Sequence, residues 1–282
     1  MCAMMSPTLF EIYDKASHRP WEDATGPVRV SPHTWFVGQS WVGVLLIETQ
    51  EGLIMIDAGI CGQMWQIFEA IRKIGYDPER DVKLCLLSHC HIDHFSGMQL
   101  LQHYAHPIVY MSEIEKDWPN MAERHDTAGA DYYMPFTPDR YYDYTRPIEF
   151  GGLSIMPVLT PGHTPGTTSF FYEDTDEKTG KSYLVGLHGG LGMNTMIDTE
   201  FTCAQAAFEA RDAFRKQMLT LREKHVDISI TNHPDNIHMF DRIGPDKTDY
   251  TPFVDPSVWV RQIDEKLAEL NELEKNSVFQ CG

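Results

Sequence analysis

The chain lacks the excess of positive charge that a phosphate backbone attracts. Its 282 residues hold 23 Lys and Arg against 41 Asp and Glu, a formal net charge of −18. A surface of that sign repels nucleic acid and anionic lipid, so neither is an expected partner. Long apolar runs are missing too. Stretches such as residues 42 to 47 are far too short to span a bilayer. The N-terminal stretch has no basic start and no sustained apolar core, so it does not read as a secretory leader. The six Cys, at 2, 61, 85, 90, 203 and 281, form no Cys-x-x-Cys pair. They read as free thiols of a reduced, cytoplasmic protein. Neither an internal repeat nor a linker divides the chain. Residues 1–27 are expected to form a polar arm lying on one domain of residues 28–282.

What is present is ordinary globular composition, with 42% hydrophobic and 23% charged residues. Short β-type runs begin near Val28 and are split by turn signals at Gly38-Gln39-Ser40 and Gln50-Glu51-Gly52. Met64, Ile67, Phe68, Ile71 and Ile74 recur at helical spacing, with Gly75 as the stop. Further strands are expected at 107–111, 153–159, 167–172, 183–187 and 226–231. Helices are expected at 98–104, 204–224 and 258–275. Alternating β and helical segments argue for α/β layering. The Gly-rich run HGGLGMN at 188–194 lacks a Walker lysine, so it does not read as a phosphate cradle. Residues 118–147 are aromatic and aperiodic, which fits either a loop lining a binding site or a packed surface crossover.

The densest chemistry follows the apolar run Leu84 to Leu87. It stops at Ser88, and His89, His91, Asp93 and His94 come next. Alternate residues on an extended chain point the same way, so His89 and His91 can reach one point. A turn just after them swings Asp93 and His94 toward a second point nearby. Imidazole suits zinc, and a carboxylate among imidazoles suits a catalytic centre with open positions. A polar loop that merely happens to be rich in His is the bland alternative. Two more histidines stand in turns directly after apolar strands: His163 in PGHTPG and His233 in NHP. Strand ends on one rim are where α/β folds collect ligands. The remaining histidines, His103, His106, His125, His225 and His238, read as surface or structural.

His-x-His-x-Asp-His after an apolar strand resembles the metal motif of the metallo-beta-lactamase superfamily. The turns around His163 and His233 look like its later ligand turns. Ile56-Asp57-Ala58-Gly59 resembles the segment whose Asp supports the metal loop without binding metal. The resemblance implies an α/β four-layer αβ/βα sandwich: two mixed sheets packed face to face, helices outside. It implies two Zn(2+) ions, one held by His89, His91 and His163, the other by Asp93, His94 and His233. Most hydrolases of the superfamily carry a bridging Asp on the strand before the Gly-rich turn, and one lactamase subclass carries Cys there. Here that position is Leu187 or His188. A set of this kind is similar to the third subclass of metallo-beta-lactamases. Residues 35–38 and 251–256 also look like that subclass. His188 stays open between an extra ligand, a proton carrier and a filler; ligation would crowd a metal that already has three protein ligands.

The resemblance implies a dinuclear zinc hydrolase acting on a small-molecule substrate. Asp93 is the expected catalytic residue, a ligand with a spare lone pair that orients a metal-activated hydroxide and passes on its proton. The concrete form is opening of a cyclic amide, with beta-lactam hydrolysis as the example. The absence of a leader argues against a dedicated antibiotic-resistance enzyme. A lactonase or thioester hydrolase is the alternative, weakened by the missing bridging Asp. An iron-dependent redox relative and a non-catalytic metal-binding scaffold complete the field. Residues 31–41 and 118–147 are the expected specificity loops.

Overall fold

The computed structural model describes residues 7–118, 134–197 and 204–276. Helix α1 (Pro7–His18) precedes an antiparallel meander of β1 (Val28–Ser31), β2 (Thr34–Gly38), β3 (Gly43–Thr49) and β4 (Gly52–Ile56). The chain then crosses over through α2 (Met64–Lys73) and α3 (Pro78–Asp81) to β5 (Val82–Leu86), which lies parallel to β4. Asp77 starts α3 by accepting the backbone N–H groups of Glu79 and Arg80. A second crossover, through α4 (Ile92–Phe95) and α5 (Met98–Ala105), leads to β6 (Ile108–Met111), and β7 (Arg140–Tyr141) closes this seven-stranded sheet. The second sheet has five strands: β8 (Ile148–Phe150), β9 (Leu153–Leu159), β10 (Thr168–Asp176), β11 (Lys181–Leu187) and β12 (Ile228–Ile230). Helix α6 (Ala204–Arg222) joins β11 to the parallel β12. Short α7 (Met239–Arg242) and long α8 (Ser257–Asn276) finish the described chain.

Side-chain alternation builds the layers. Phe36, Leu45, Ile54 and Leu86 of the first sheet meet Ile155, Phe170, Val185 and Ile228 of the second in one core. Their chain neighbours point outward: Val37, Val44, Met55 and Cys85 pack under α2 and α5. Phe171 packs under α6 and α8 with Phe214 and Trp259. Strands covered on both faces read as near-continuous apolar runs, which is why β3 is legible as Val44 to Ile47. The expected four-layer α/β sandwich is the observed one. Two backbone hydrogen bonds stitch the sheets at one rim, Thr168 N–H to Ser88 O at 2.8 Å and Gly43 N–H to Asn232 O at 2.9 Å.

Three stretches are more specific in the structure than in the sequence. The arm of residues 1–27 contains α1, which the polar composition did not mark. It is seated by buried Ala16, whose carbonyl accepts Gln39 Nε2–H at 3.0 Å. Within residues 31–41, the β-type run Thr34 to Val37 is a fully buried strand, Thr34–Gly38, which leaves only the turns on either side of it as loop. Of residues 118–147, the segment 119–133, with His125, lies outside the described residues. The described remainder runs along the surface, most of it exposed, with Phe136 and Tyr142 turned inward and Tyr142 Oη donating to Leu87 O. Among the described residues no helix is long and apolar enough to cross a membrane. Cys61, Cys85 and Cys90 are free thiols.

Candidate metal centre

Strands β4, β5, β9, β11 and β12 all end at the stitched rim, and the histidines stand just beyond those ends. His89 and His91 leave β5 on extended backbone. α4 then begins, with His91 as its N-cap, and turns Asp93 and His94 back toward the same rim. His163 arrives from the β9–β10 turn and His233 from the end of β12. Two donor groups result, His89–His91–His163 and Asp93–His94–His233; within each, the donor atoms lie within 4.8 Å of one another. The groups adjoin, with the rings of His89 and His94 4.1 Å apart.

Hydrogen-bond partners assign the tautomers. Ser88 Oγ donates to Asp57 Oδ2 at 2.7 Å, so it accepts from His89 Nδ1–H at 2.9 Å. His163 donates Nδ1–H to the carbonyl of Gly192 at 2.8 Å. The Nε2 lone pairs of His89 and His163 therefore face each other at 3.0 Å, and His91 Nδ1 is 2.9 Å from His163 Nε2. In the second group, His94 donates Nδ1–H to Asp57 Oδ2 at 2.5 Å and His233 donates Nδ1–H to Trp41 O at 2.9 Å. Their Nε2 atoms are 3.1 Å apart, and Asp93 Oδ2 is 3.2 Å from His233 Nε2. Converging buried acceptors repel unless a cation sits among them. Three nitrogens, or two nitrogens and a carboxylate, suit a zinc-like divalent ion, and the outer ring nitrogens are fixed as such sites require. The residues present fit two cations.

The local field agrees. Burial, and then the neighbouring imidazoles, push the His89 and His163 rings well below the usual histidine range, keeping them neutral and able to ligate. Burial would raise the Asp93 carboxyl, but His94 and His233 outweigh it and hold it ionised, below the usual carboxylate range. Burial likewise would lower His94, yet Asp93 and Asp57 raise it, so the pocket favours positive charge.

Asp57 is fully buried and supports both groups. Its Oδ1 accepts Ser88 N–H at 2.6 Å, and its Oδ2 takes Ser88 Oγ–H, His94 Nδ1–H and Asn232 Nδ2–H. Its backbone sits at φ 62, a left-handed conformation that Asp tolerates better than most residues. His188 faces away. Its Nδ1 accepts Gly190 N–H at 3.3 Å, its Nε2 lies 3.1 Å from Gln217 Oε1 on α6, and burial lowers it to about 4. It is neither ligand nor bridge. Leu187 points into the inter-sheet core.

The glycines after His188 have another use. A Cβ on Gly190 would stand 2.2 Å from His163 Cδ2, so only glycine lets this backbone lie against the imidazole. His103, His106, His225 and His238 are exposed. Sequence reasoning missed three participants. Glu115 is buried and accepts Cys90 N–H at 2.8 Å and Gly166 N–H at 2.9 Å. Trp41 lies on His233 with ring centroids 5.6 Å apart, and Tyr13 of α1 packs edge-on against Trp41 at 5.0 Å. Tyr13 Oη also donates to Asp93 Oδ1 at 3.3 Å. Nothing in a polar N-terminal stretch or in Glu113-Ile114-Glu115 signals these roles; a surface helix and a charged turn would read the same.

Residues 37–176 match the model of the metallo-beta-lactamase superfamily. A hydroxyacylglutathione hydrolase, GloC of Haemophilus influenzae, is 28% identical over 154 residues, 52% of this chain and 68% of the relative. An N-acyl homoserine lactonase, AttM of Agrobacterium fabrum, is 27% identical over 201 residues, 62% of this chain and 69% of the relative. Among solved structures, the FEZ-1 metallo-beta-lactamase of Legionella gormanii superposes with a TM-score of 0.79 at 23% identity, covering 91% of this chain and 98% of that one. BJP-1 of Bradyrhizobium japonicum, a subclass B3 metallo-beta-lactamase, gives 0.78 at 20% identity, covering 92% and 97%. The sandwich and the matched segment lead to one conclusion: residues 37–176 carry a domain of the metallo-beta-lactamase superfamily.

Proposed function

We propose that this protein is a dinuclear zinc hydrolase of small molecules that opens a cyclic amide, with beta-lactam hydrolysis as the concrete form. One observation carries the reading. Two complete three-donor groups adjoin, and the end of β11 sends no side chain between them, because Leu187 is in the core and His188 faces Gln217. Lactone- and thioester-cleaving relatives usually keep a carboxylate there.

When bound, the pair of divalent cations supplies Lewis acidity, lowering the pKa of water and polarising a carbonyl oxygen. His89, His91 and His163 would hold one; Asp93, His94 and His233 would hold the other. Asp93 presents Oδ2 to its group and keeps Oδ1 on the side of Tyr13. That oxygen is placed to orient the attacking water and to carry its proton to the departing nitrogen. Asp57 keeps His94 in its ligating tautomer. The partly exposed rings of His91 and of His233, the latter flanked by Trp41 and Tyr13, mark the side from which substrate enters.

A second reading, a lactone or thioester hydrolase, is favoured by the relatives named a lactonase and a hydroxyacylglutathione hydrolase. A panel on the zinc-loaded protein decides between them, using a chromogenic cephalosporin, an N-acyl homoserine lactone and a glutathione thioester. The cephalosporin is expected to give the highest kcat/KM. Faster turnover of the lactone or thioester overturns the first reading in favour of the second. Full loading with no turnover of any overturns both.

A further inference from the structure

Glu115 takes no part in the reaction described above, yet it is a buried carboxylate with two backbone partners, and carboxylates are seldom buried without a task. It follows β6 in a short turn, Glu113–Glu115. Its Oε2 accepts the N–H of Cys90, the residue between His89 and His91. Its Oε1 accepts the N–H of Gly166, which closes the turn carrying His163. One side chain thus spans the two separate segments that supply the first donor group.

The packing around Gly166 is a second, independent sign. A Cβ there would stand 2.7 Å from Glu115 Cγ and 2.8 Å from Ser112 Oγ. The last glycine of PGHTPG is needed for close approach to this carboxylate, since no other side chain fits. Together these contacts fix the distance between the β5 loop and the β9–β10 turn.

Resting on the assignment of His89, His91 and His163 as ligands, we propose that Glu115 is a positioning residue that clamps the two segments of the first metal group and sets that group's affinity without touching the second. A mere fold latch would behave differently: its loss would lower the melting temperature and leave the two metal affinities in their original ratio.

Competitive zinc titration against a chromophoric chelator separates these outcomes. His233→Ala leaves the first group as the intact site, and His163→Ala leaves the second. Glu115→Gln, added to each, keeps the size but offers one acceptor oxygen to two amides. Metal affinity is expected to fall about 10- to 100-fold in the His233→Ala background and to change less than about threefold in the His163→Ala background. Equal losses in both, or none in either, overturn the clamp. Gly166→Ala presses on the same contact from the other side and is expected to give the same selective loss; an unchanged first-group affinity in a folded Gly166→Ala protein overturns it as well. The unsubstituted protein is the control for the ligand assignment: failure to bind two zinc ions defeats that assignment and the clamp with it. Two ions bound, with Glu115→Gln silent, defeats the clamp alone.

Discussion

The two donor groups differ in charge and in what supports them, not in burial, for each has two buried donors and one partly exposed one. His91 is the partly exposed donor of the first group and His233 that of the second. The first is backed by Ser88, the Gly192 carbonyl and the Glu115 carboxylate, and its three donors are imidazoles. The second includes a carboxylate, leans on Asp57 and the Trp41 carbonyl, and is touched by a residue of α1. The difference separates anchoring from chemistry. A site of three imidazoles holds an ion in place, and a site with a spare carboxylate oxygen can also handle a proton.

Changing Asp93 should break the comparison most severely. Asp93→Asn removes the negative donor and the proton carrier together. Turnover is expected to fall about 10²- to 10⁴-fold, and metal analysis should show the second ion lost and the first retained. Unchanged metal content with unchanged hydrolysis would falsify the assigned role. Asp57→Asn tests what the groups share. Asn tolerates the left-handed backbone, so the loss is chiefly that of charge and acceptors. Affinity at both groups is expected to fall about 10- to 100-fold, and a loss confined to one would contradict the shared support. Tyr13→Phe sharpens the contrast. Removing its hydroxyl should weaken the second ion by about threefold to tenfold, in line with one outer hydrogen bond, with the first ion unmoved. A chelator titration that finds equal weakening of both would show α1 to be acting on the fold instead.

The smallest effect is expected at the far rim. His33, in the turn before β2, donates from Nδ1 to Asp174 at 2.6 Å, and Glu177 lies 3.1 Å from its Nε2. The Asp174 hydrogen bond, with help from Glu177 and Glu48, raises the ring above its usual range against the effect of burial. A raised folded pKa stabilises below the unfolded value and is lost as pH rises through the folded one. The ring is partly solvated, so screening keeps the gain small. His33→Gln is expected to lower the melting temperature by about 1 °C near pH 5 and to leave it unchanged near pH 9. The opposite pH trend in a thermal melt would refute the sign.

Much of the site was legible because its information is local. Six donors announce themselves by residue type directly after apolar strands, and strands buried on both faces show as unbroken apolar runs. Support from a distance leaves no such trace. Glu115 looks like any charged turn residue until Cys90 and Gly166 are brought to it. The HGGLGMN run could be denied a nucleotide, but its use against His163 depends on packing across the rim. Helix α1 was missed because its polar sequence draws its order from what it rests on, namely Ala16 against the β2–β3 turn and Tyr13 against Trp41. His33 passed unnoticed for the same reason: its partners are more than a hundred residues away in the chain.

The spread of the donors along the polymer sets an order of events during synthesis. A ribosome makes the chain from its N-terminus, so the first triad is complete in sequence once His163 has been added, whereas the second must wait for His233, after α6 and β12. Until then Asp57 also lacks its contact with Asn232, and the seam between Gly43 and that residue stays open. A nascent protein halted between these two points is expected to capture one ion and not two.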